Sequence, residues 1–194
     1  MEKMFGKKFD SLEKGIIFAL FKNQNFNIMN KTETFTFQKV PQSVAELQQL
    51  PEATLDSPFK TTALTMLVLM RWEEDKEPCH SMLDFLRGPD PMSPFANQFL
   101  RDRLTGKAYK VSSFFAGATV ENSYKPTLPL TISVSDNPYS YPDDKWATLY
   151  VKSAGADSVR PMKLRKKPST GQWFLNDIQC LSDIRVPAAD DPWA

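Results

Sequence analysis

The sequence contains very few residues of the kinds that thiol chemistry and soft metal sites require. There are two cysteines, Cys79 and Cys180, and a single histidine, His80. Two isolated cysteines are unlike a secreted disulfide framework, so we expect reduced thiols and a cytoplasmic location, with one disulfide as the alternative. Because neighbouring side chains usually diverge, Cys79 and His80 are not predicted to form a catalytic pair. These three residues also lack the spacing of a zinc site, and no metal site is predicted.

Glycine is scarce as well. Seven glycines occur, and none falls in the spacing of a phosphate-binding loop, a dinucleotide-binding turn or a nucleophile elbow. The acidic pairs Asp143-Asp144 and Asp190-Asp191 lack the alternating spacing of a calcium loop. No cofactor and no catalytic residue is therefore predicted. A hydrolase or transferase stays open as an alternative, because an active site can be assembled from scattered positions.

An excess of charge of one sign is also missing. The chain has 24 lysines and arginines against 23 acidic residues, which gives a formal net charge of +1. Long-range attraction of the whole protein to nucleic acid or to an anionic membrane is therefore not expected.

The apolar run near the start, residues 15–21, is too short to span a bilayer, and no signal-peptide cleavage site follows it. We therefore predict neither a transmembrane segment nor a signal peptide. Apolar residues at helical spacing precede and enter this run: Phe5, Phe9, Leu12, Ile16 and Leu20. They predict that residues 1–30 are an amphipathic helical appendage with a polar linker, docked on the domain or on a partner. Weak contact of residues 5–21 with a membrane surface is the alternative.

Residues 31–194 are predicted to form a single α+β domain, with helices up to about residue 106 and β structure from about residue 109. Serine caps predict helices after Ser43, Ser81 and Ser93, and either Asp56 or Ser57 opens the helix that starts at Pro58. The helix from Pro58 is apolar nearly all round and should be the central buried one. In the helix after Ser93, the spacing places Phe95, Phe99 and either Leu100 or Leu104 in the core.

Strand patterns occur at residues 32–37, 130–136, 145–153, 161–167 and 171–181, and the last two patterns predict a hairpin. We expect the N-terminal helices to pack on a C-terminal antiparallel sheet. A curved, cone-like sheet enclosing a pocket is one form that this architecture can take.

A set of polar and aromatic residues is the first candidate binding patch: Arg101, Asn122, Tyr124, Tyr139 and Tyr141. Tyrosine and asparagine in turns beside strand ends can anchor a ligand or a protein partner. Alternatively, their polar groups hold irregular loops to the backbone.

A basic strand is the second candidate, with Arg160, Lys163, Arg165, Lys166 and Lys167 close to Trp173 and Phe174. Cations beside aromatic rings can bind single-stranded nucleic acid through phosphate contacts and base stacking. The alternative, favoured by the balanced net charge, is a solvated strand face whose lysines discourage edge pairing, with the aromatic rings in the core.

Several blocks in order resemble an uncharacterised bacterial domain family of unknown function, found largely in gut Firmicutes: MLDFLRGP, FLRDRLTGKAY, FFAGATVENSYKP, SDNPYSY, SAGADSVRPMKLRKK, GQWFL and DPWA. The resemblance covers about Thr34 to Ala194, and Cys79 and His80 lie outside its pattern. It implies a family membership but no activity that can be transferred.

Taken together, these patterns favour a soluble, non-catalytic domain that binds a protein or a small ligand. A homo-oligomer is compatible with the 12% of aromatic residues, since such a domain often buries one face. An enzyme is the alternative, and nucleic-acid binding along the basic strand is the weaker one.

Overall fold

The computed structural model describes residues 30–193. The predicted amphipathic appendage, apart from its last residue, and the terminal Ala194 lie outside this range. Five α-helices occur in the described range: Val44–Gln48 (α1), Pro58–Leu69 (α2), Lys76–Arg87 (α3), Pro94–Leu104 (α4) and Tyr109–Ser112 (α5). The strands are Thr32–Phe37 (β1), Leu130–Ser135 (β2), Trp146–Val151 (β3), Arg160–Lys166 (β4) and Trp173–Ile178 (β5).

The strands form one antiparallel sheet in the order β1-β2-β3-β4-β5, which stays open rather than closing on itself. This confirms the predicted α+β class with helices packed on an antiparallel sheet. The chain enters the sheet before it forms the helices, because β1 pairs with β2 from Thr32–Ser135 to Phe37–Leu130. All five helices are therefore inserted between two neighbouring strands.

Helix starts follow the predicted caps at three places. The Ser43 hydroxyl accepts a hydrogen bond from the Glu46 amide, and the Glu46 carboxylate accepts one from the Gln42 amide before the helix. The Ser57 and Ser93 hydroxyls cap α2 and α4 in the same way, each followed by a proline in the first helical position. A proline is tolerated there because the first helical N–H groups have no partner within the helix.

The start of α3 differs from the prediction. The helix begins at Lys76, with Asp75 in the N-cap position, and not after Ser81. Pro78 lies in the first turn, where it removes no helical hydrogen bond, so it does not delay the helix. Cys79 and His80 consequently lie inside α3 and not in the loop that the run of charged residues suggests.

Two further expectations are corrected. The change to β structure comes at Leu130, later than residue 109, because the short helix α5 and irregular turns occupy the intervening segment. In α4 the buried residues are Leu100 and Leu104, whereas Phe95 is 82% exposed. The predicted apolar stripe is therefore correct only for the second half of α4, because residue spacing alone does not show whether the first turn of a helix reaches the core.

Helix α2 is the central element, as predicted. Every residue from Thr61 to Leu69 is buried, and the helix contacts all five strands on one side and α3 on the other. Its buried threonines carry hydroxyl groups that need acceptors in this apolar setting. Thr61 Oγ1 donates to the Trp173 carbonyl of β5 at 2.7 Å, while Thr62 Oγ1 donates to the Pro58 carbonyl one turn earlier at 2.9 Å.

No helix within residues 30–193 is long and apolar enough to cross a membrane.

The two neighbouring threonines provide a matched test of this packing. We expect Thr61→Val to lower the free energy of unfolding by about 1–3 kcal/mol, because the buried Trp173 carbonyl loses its hydroxyl donor. Thr62→Val should cost less than about 0.5 kcal/mol, because the Pro58 carbonyl keeps its helical N–H donor. Urea denaturation of both variants measures the difference, and equal effects would show that the bond to β5 carries no special weight.

Candidate functional site

The outer face of the sheet, on the side away from α2, carries an unusual set of side chains on β3, β4 and β5. Along β3, Ala147, Leu149 and Val151 are buried, while the alternating residues Trp146, Thr148 and Tyr150 are half-buried on the other side. Because side chains alternate in a strand, these three residues all point to the outer face. In β4 the outward residues are Lys163 and Arg165, both exposed.

The register of the sheet brings three of these residues into one row across three strands. Trp146 is the partner of Arg165, and Arg165 is the partner of Phe174 on β5. The guanidinium carbon of Arg165 lies 5.2 Å from the centre of a Trp146 ring, a cation–π distance. We call Trp146, Arg165 and Phe174 the aromatic row. Sequence reasoning missed Trp146, although the alternation of WATLYV already places it opposite the buried residues.

The basic strand is only partly one cluster. Lys163 and Arg165 point outward, whereas the Lys166 ammonium lies 5.6 Å from the centre of a Trp173 ring. Arg160 donates to the Asp183 carbonyl at 2.8 Å and so serves a neighbouring turn. β4 lies between β3 and β5, so its cations do not protect a sheet edge. Of the two nearby aromatics, Trp173 is buried and Phe174 lies half-exposed on the outer face.

A cavity of about 350 Å³ lies at the end of β4, beside the C-terminal turn of α3. Its walls include cationic side chains, the Phe174 ring and the turn after α3: Arg165, Lys166, Lys167, Phe174, Arg87, Pro89 and Asp90. Gly88 in that turn has φ +63°, and a Cβ there would lie 2.4 Å from the Phe174 ring. The turn therefore packs against the ring and holds one end of the aromatic row in place.

The charges of this cavity are unequally compensated. Arg87 is engaged, because it donates to the carbonyls of Asp90 and Asn176, both at 2.8 Å, and pairs with the Asp90 carboxylate at 3.5 Å. In contrast, no ion pair to a residue in the range 30–193 is formed by Lys163, Arg165, Lys166 or Lys167. The cavity beside the aromatic row thus presents positive charge that the described chain does not neutralise.

The polar-aromatic patch is divided by the structure. Asn122 is exposed, but its amide side chain bonds within its own turn, accepting from the Thr119 and Lys125 amides and donating to the Gly117 and Lys125 carbonyls. Tyr124 is 1% exposed, stacks on Tyr109 and donates its hydroxyl to the Arg185 carbonyl at 3.0 Å. These two residues hold loops in place through internal contacts.

The other members of the patch remain at the surface. Tyr139 is 85% exposed and Tyr141 is 43% exposed, both in the loop between β2 and β3, and Arg101 is exposed on α4. Tyr141 contacts the Trp173 ring edge-on, with 6.3 Å between ring centres. Since Lys166 lies over that same ring, the structure brings Tyr141 to the basic strand, which the sequence did not predict.

The thiols have the properties of core residues. Burial raises the pKa of Cys79 and of Cys180 to about 12, so neither is a thiolate at neutral pH. Both cysteines are free thiols. The Cys79 thiol donates to the Val68 carbonyl, and the Cys180 thiol donates to the Met66 sulfur. His80 stacks on Trp72 at 5.1 Å, half-buried in α3. Across the described range, no three His, Cys, Asp or Glu residues are grouped so that they could hold a metal ion.

Comparison with known proteins identifies a family but no relative of known activity or structure. The family described as Domain of unknown function (DUF6935) matches residues 39–188. This confirms the predicted membership of an uncharacterised domain family, while a bacterial origin stays a prediction. No curated protein and no solved structure matches the chain.

The partial burial of Tyr141 against Trp173 changes the pKa of its hydroxyl, which can be measured by titration. Burial, and to a smaller extent the charges of Asp136 and Glu33, raises the pKa of Tyr141 from 10.0 to about 12. The folded state holds this proton more tightly than the unfolded state. The resulting stabilisation is therefore complete below pH 10 and is lost as the pH rises towards 12.

Tyrosinate absorbs in the ultraviolet, and the difference in this absorbance between wild type and Tyr141→Phe reports on Tyr141 alone. For the folded proteins, we expect this difference to have its midpoint near pH 12. The same difference measured on the unfolded chains should have its midpoint near pH 10. A folded-state midpoint near 10 would show that Tyr141 is solvated and does not pack on Trp173.

Proposed function

We propose that this chain, which belongs to the DUF6935 family of domains of unknown function, is a non-catalytic binding domain that holds an anionic group of its partner beside the aromatic row. The observation that supports this most directly is the set of uncompensated cations, Arg165, Lys166 and Lys167, around a cavity with an aromatic wall. A carboxylate or phosphate in that cavity would supply the missing negative charge. The domain acts in the cytoplasm of a bacterium in this proposal.

The chemistry of the cavity suits such a group. A guanidinium presents paired donors that match the two oxygens of a carboxylate or phosphate, and Arg165 is held in place by the Trp146 ring. The volume of about 350 Å³ lies at the lower end of the range of roughly 300–1,000 Å³ for ligand pockets. The cavity therefore fits one anionic group with a small apolar part and not a large cofactor.

The contrast between the two halves of the outer face supports the same conclusion. On β1 and β2 the outward residues are threonine and serine, which bond to each other across the strands: Thr34 to Ser133 at 2.9 Å and Thr36 to Thr131 at 3.2 Å. Such pairs keep a sheet face soluble without binding anything. On β3 to β5 the outward positions instead hold Trp146, Tyr150 and Phe174 with two cations, which solubility alone does not require.

Tyr139 and Tyr141 extend the rim of the cavity on the side of Lys166 and not the aromatic row, because Tyr141 contacts Trp173, which alternates with Phe174 and faces the other side of the sheet. Tyrosine can contribute a large contact area at small entropic cost, which suits the rim of a binding surface. Arg101 remains a candidate without a neighbour in the aromatic row. For Asn122 and Tyr124 the internal hydrogen bonds favour the structural alternative.

The enzyme alternative receives less support from the carboxylates. A general acid needs a carboxyl group whose pKa is raised by apolar surroundings. The carboxylates with a shifted pKa in the described range are Glu46, Asp56 and Glu121, and each is shifted downward, mainly by hydrogen bonds, at the surface. These groups would stay ionised and could not donate a proton at neutral pH.

Single-stranded nucleic acid is the second candidate partner, and the aromatic row is the specific observation that favours it. Two rings on either side of an arginine, on an open sheet face, can stack bases while the cations bind phosphates. The near-neutral net charge argues against it, since long-range attraction would be weak.

The two partners can be separated with labelled probes, an oligothymidylate and an oligoglutamate of equal length, followed by fluorescence anisotropy. We expect Arg165→Ala to weaken binding of the oligoglutamate by about fivefold, as an exposed charge contact is worth up to roughly 1 kcal/mol. Lys125→Ala is the matched control, because it removes one exposed positive charge from the segment between α5 and β2, outside the cavity. An equal effect of both variants, or no binding at all, would contradict the proposed site.

If nucleic acid is the partner, Trp146→Ala should weaken oligothymidylate binding by about fivefold or more through lost stacking. The same variant should weaken oligoglutamate binding less, by about twofold, because it loosens Arg165 but removes no stacking contact with this ligand. Arg165→Ala should also lower the salt-dependence slope for the oligonucleotide by about 0.7 for one lost phosphate contact. Tight oligoglutamate binding with no oligothymidylate binding would exclude the nucleic-acid candidate.

A further inference from the structure

A second cationic cavity, which shares no residue with the aromatic row, lies between α4 and α5. It has a volume of about 440 Å³, and its walls are Lys110 of α5, Lys107 in the turn before it, and Phe95, Phe99, Asp102 and Arg103 of α4, together with Gln98. Phe95 and Phe99 also border a neighbouring apolar groove of about 680 Å³, which runs along α4 to Met92 and Ile178. The two spaces adjoin at these two rings.

Lys110 is the unusual residue of this cavity. It is 8% exposed, and its ammonium group makes one long hydrogen bond, to the Leu181 carbonyl at 3.4 Å. An ammonium group has three donors, so two remain without a partner among residues 30–193. A buried charge is normally paired and fully hydrogen-bonded, because desolvation is costly. Burial, with repulsion from Lys107 and Arg103, also lowers the pKa of Lys110.

The walls of the cavity carry three cations and one carboxylate, that of Asp102. The Lys107 ammonium donates to the Asp102 carbonyl at 3.2 Å, and the Arg103 guanidinium lies 5.4 Å from the centre of the Phe99 ring. Three carboxylates lie close to these cations: Asp102 accepts from Gln98 at 2.7 Å, Glu73 accepts from the Lys107 amide at 3.0 Å, and the charge of Asp183 acts on Lys110. In residues 30–193 none of the three cations forms an ion pair.

An exposed apolar surface lies directly beside this charge. Phe95 is 82% exposed although it lies on the stripe that should pack on the core, and Phe99 is half-buried and packs on the core with part of its ring. The buried residues of the helix are Leu100 and Leu104. Large exposed rings that border a groove indicate a contact surface for a ligand.

We propose that the groove along α4 binds a small amphipathic anion, an apolar chain that ends in a carboxylate or phosphate. The anionic group lies among Lys110, Lys107 and Arg103, and the chain lies on Phe95 and Phe99 towards Met92 and Ile178. This inference does not rest on the function proposed for the sheet face, although the groove shares Arg87 and Asn176 with the first cavity. It assigns complementary parts of one ligand to two adjoining spaces, one cationic and one apolar.

Isothermal titration of the full-length chain with decanoate and with decyl phosphate tests the proposal, and the stronger binder identifies the anionic group. Decyltrimethylammonium, with the same chain and the opposite charge, should not bind. Arg103→Met should weaken binding of the anionic ligand by about fivefold, and Lys110→Met by about tenfold or more, because its charge acts in a buried position. Lys125→Met is the control, because Lys125 is an exposed cation that lines neither cavity nor the groove, and it should change the affinity by less than about twofold.

The apolar half has its own test. Phe95→Ser should weaken decanoate or decyl phosphate binding by about fivefold, because the chain loses one face of its contact surface. Phe95 is exposed, so this variant leaves folding intact even where Lys110→Met does not. The proposal is overturned if neither anion binds, if the cationic analogue binds as tightly, or if Lys125→Met and Arg103→Met weaken binding equally.

Discussion

The burial of one face of an open sheet is the constraint on which the rest of this structure depends. Five strands expose one apolar face, and a single helix, α2, covers parts of all five. Because α3 packs on the opposite side of α2, the helix must be apolar around its whole circumference. Its polar groups then need acceptors inside the core, and Thr61 finds one on β5 at the edge of the sheet. The covering helix thus also satisfies a backbone carbonyl on which no further strand pairs.

This one-sided arrangement determines where a binding surface can form. The inner face is used up by packing, so the outer face and the helix ends are what the domain can present. The turn at Gly88, where α3 ends, packs on the Phe174 ring, so this helix end contributes to the outer face beside Arg165 and Trp146. The proposed cavity lies where a rigid strand and a rigid helix end meet, which favours a preformed site.

Sequence patterns predicted the elements better than their contacts. All five strands and the capped helices follow from alternation, serine caps and prolines, because these signals are local. The aromatic row could not be predicted, since it depends on the pairing of residues 146, 165 and 174 across three strands. Register is set by turns and by the packing of the whole face, which a single strand pattern does not contain.

The same limit explains the errors in detail. Tyr124 is of a residue type that is common in binding sites. Its ring nevertheless stacks on Tyr109, and its hydroxyl donates a hydrogen bond to the carbonyl of Arg185, which is distant in the sequence. Phe95 has the spacing of a core residue, yet it is 82% exposed while Leu100 and Leu104 of the same helix are buried. In both cases the local pattern shows the residue type, and the packing of the folded chain decides whether the residue is buried.

The net charge of +1 illustrates how far a whole-chain property can mislead about a site. Screening limits the reach of surface charges to roughly 10 Å in ordinary salt, so a ligand responds to the local cluster and not to the total. In this chain the balance is partly reached by separation: acidic residues gather at positions 73–77, 143–144 and 190–191, while cations gather on β4. Around Lys110 the cations have carboxylates close by, at Glu73, Asp102 and Asp183. Neutrality therefore argues against long-range steering and leaves short-range anion binding untouched. The two cationic cavities are local features of this kind, and each lies beside aromatic rings that would bind the apolar part of a ligand.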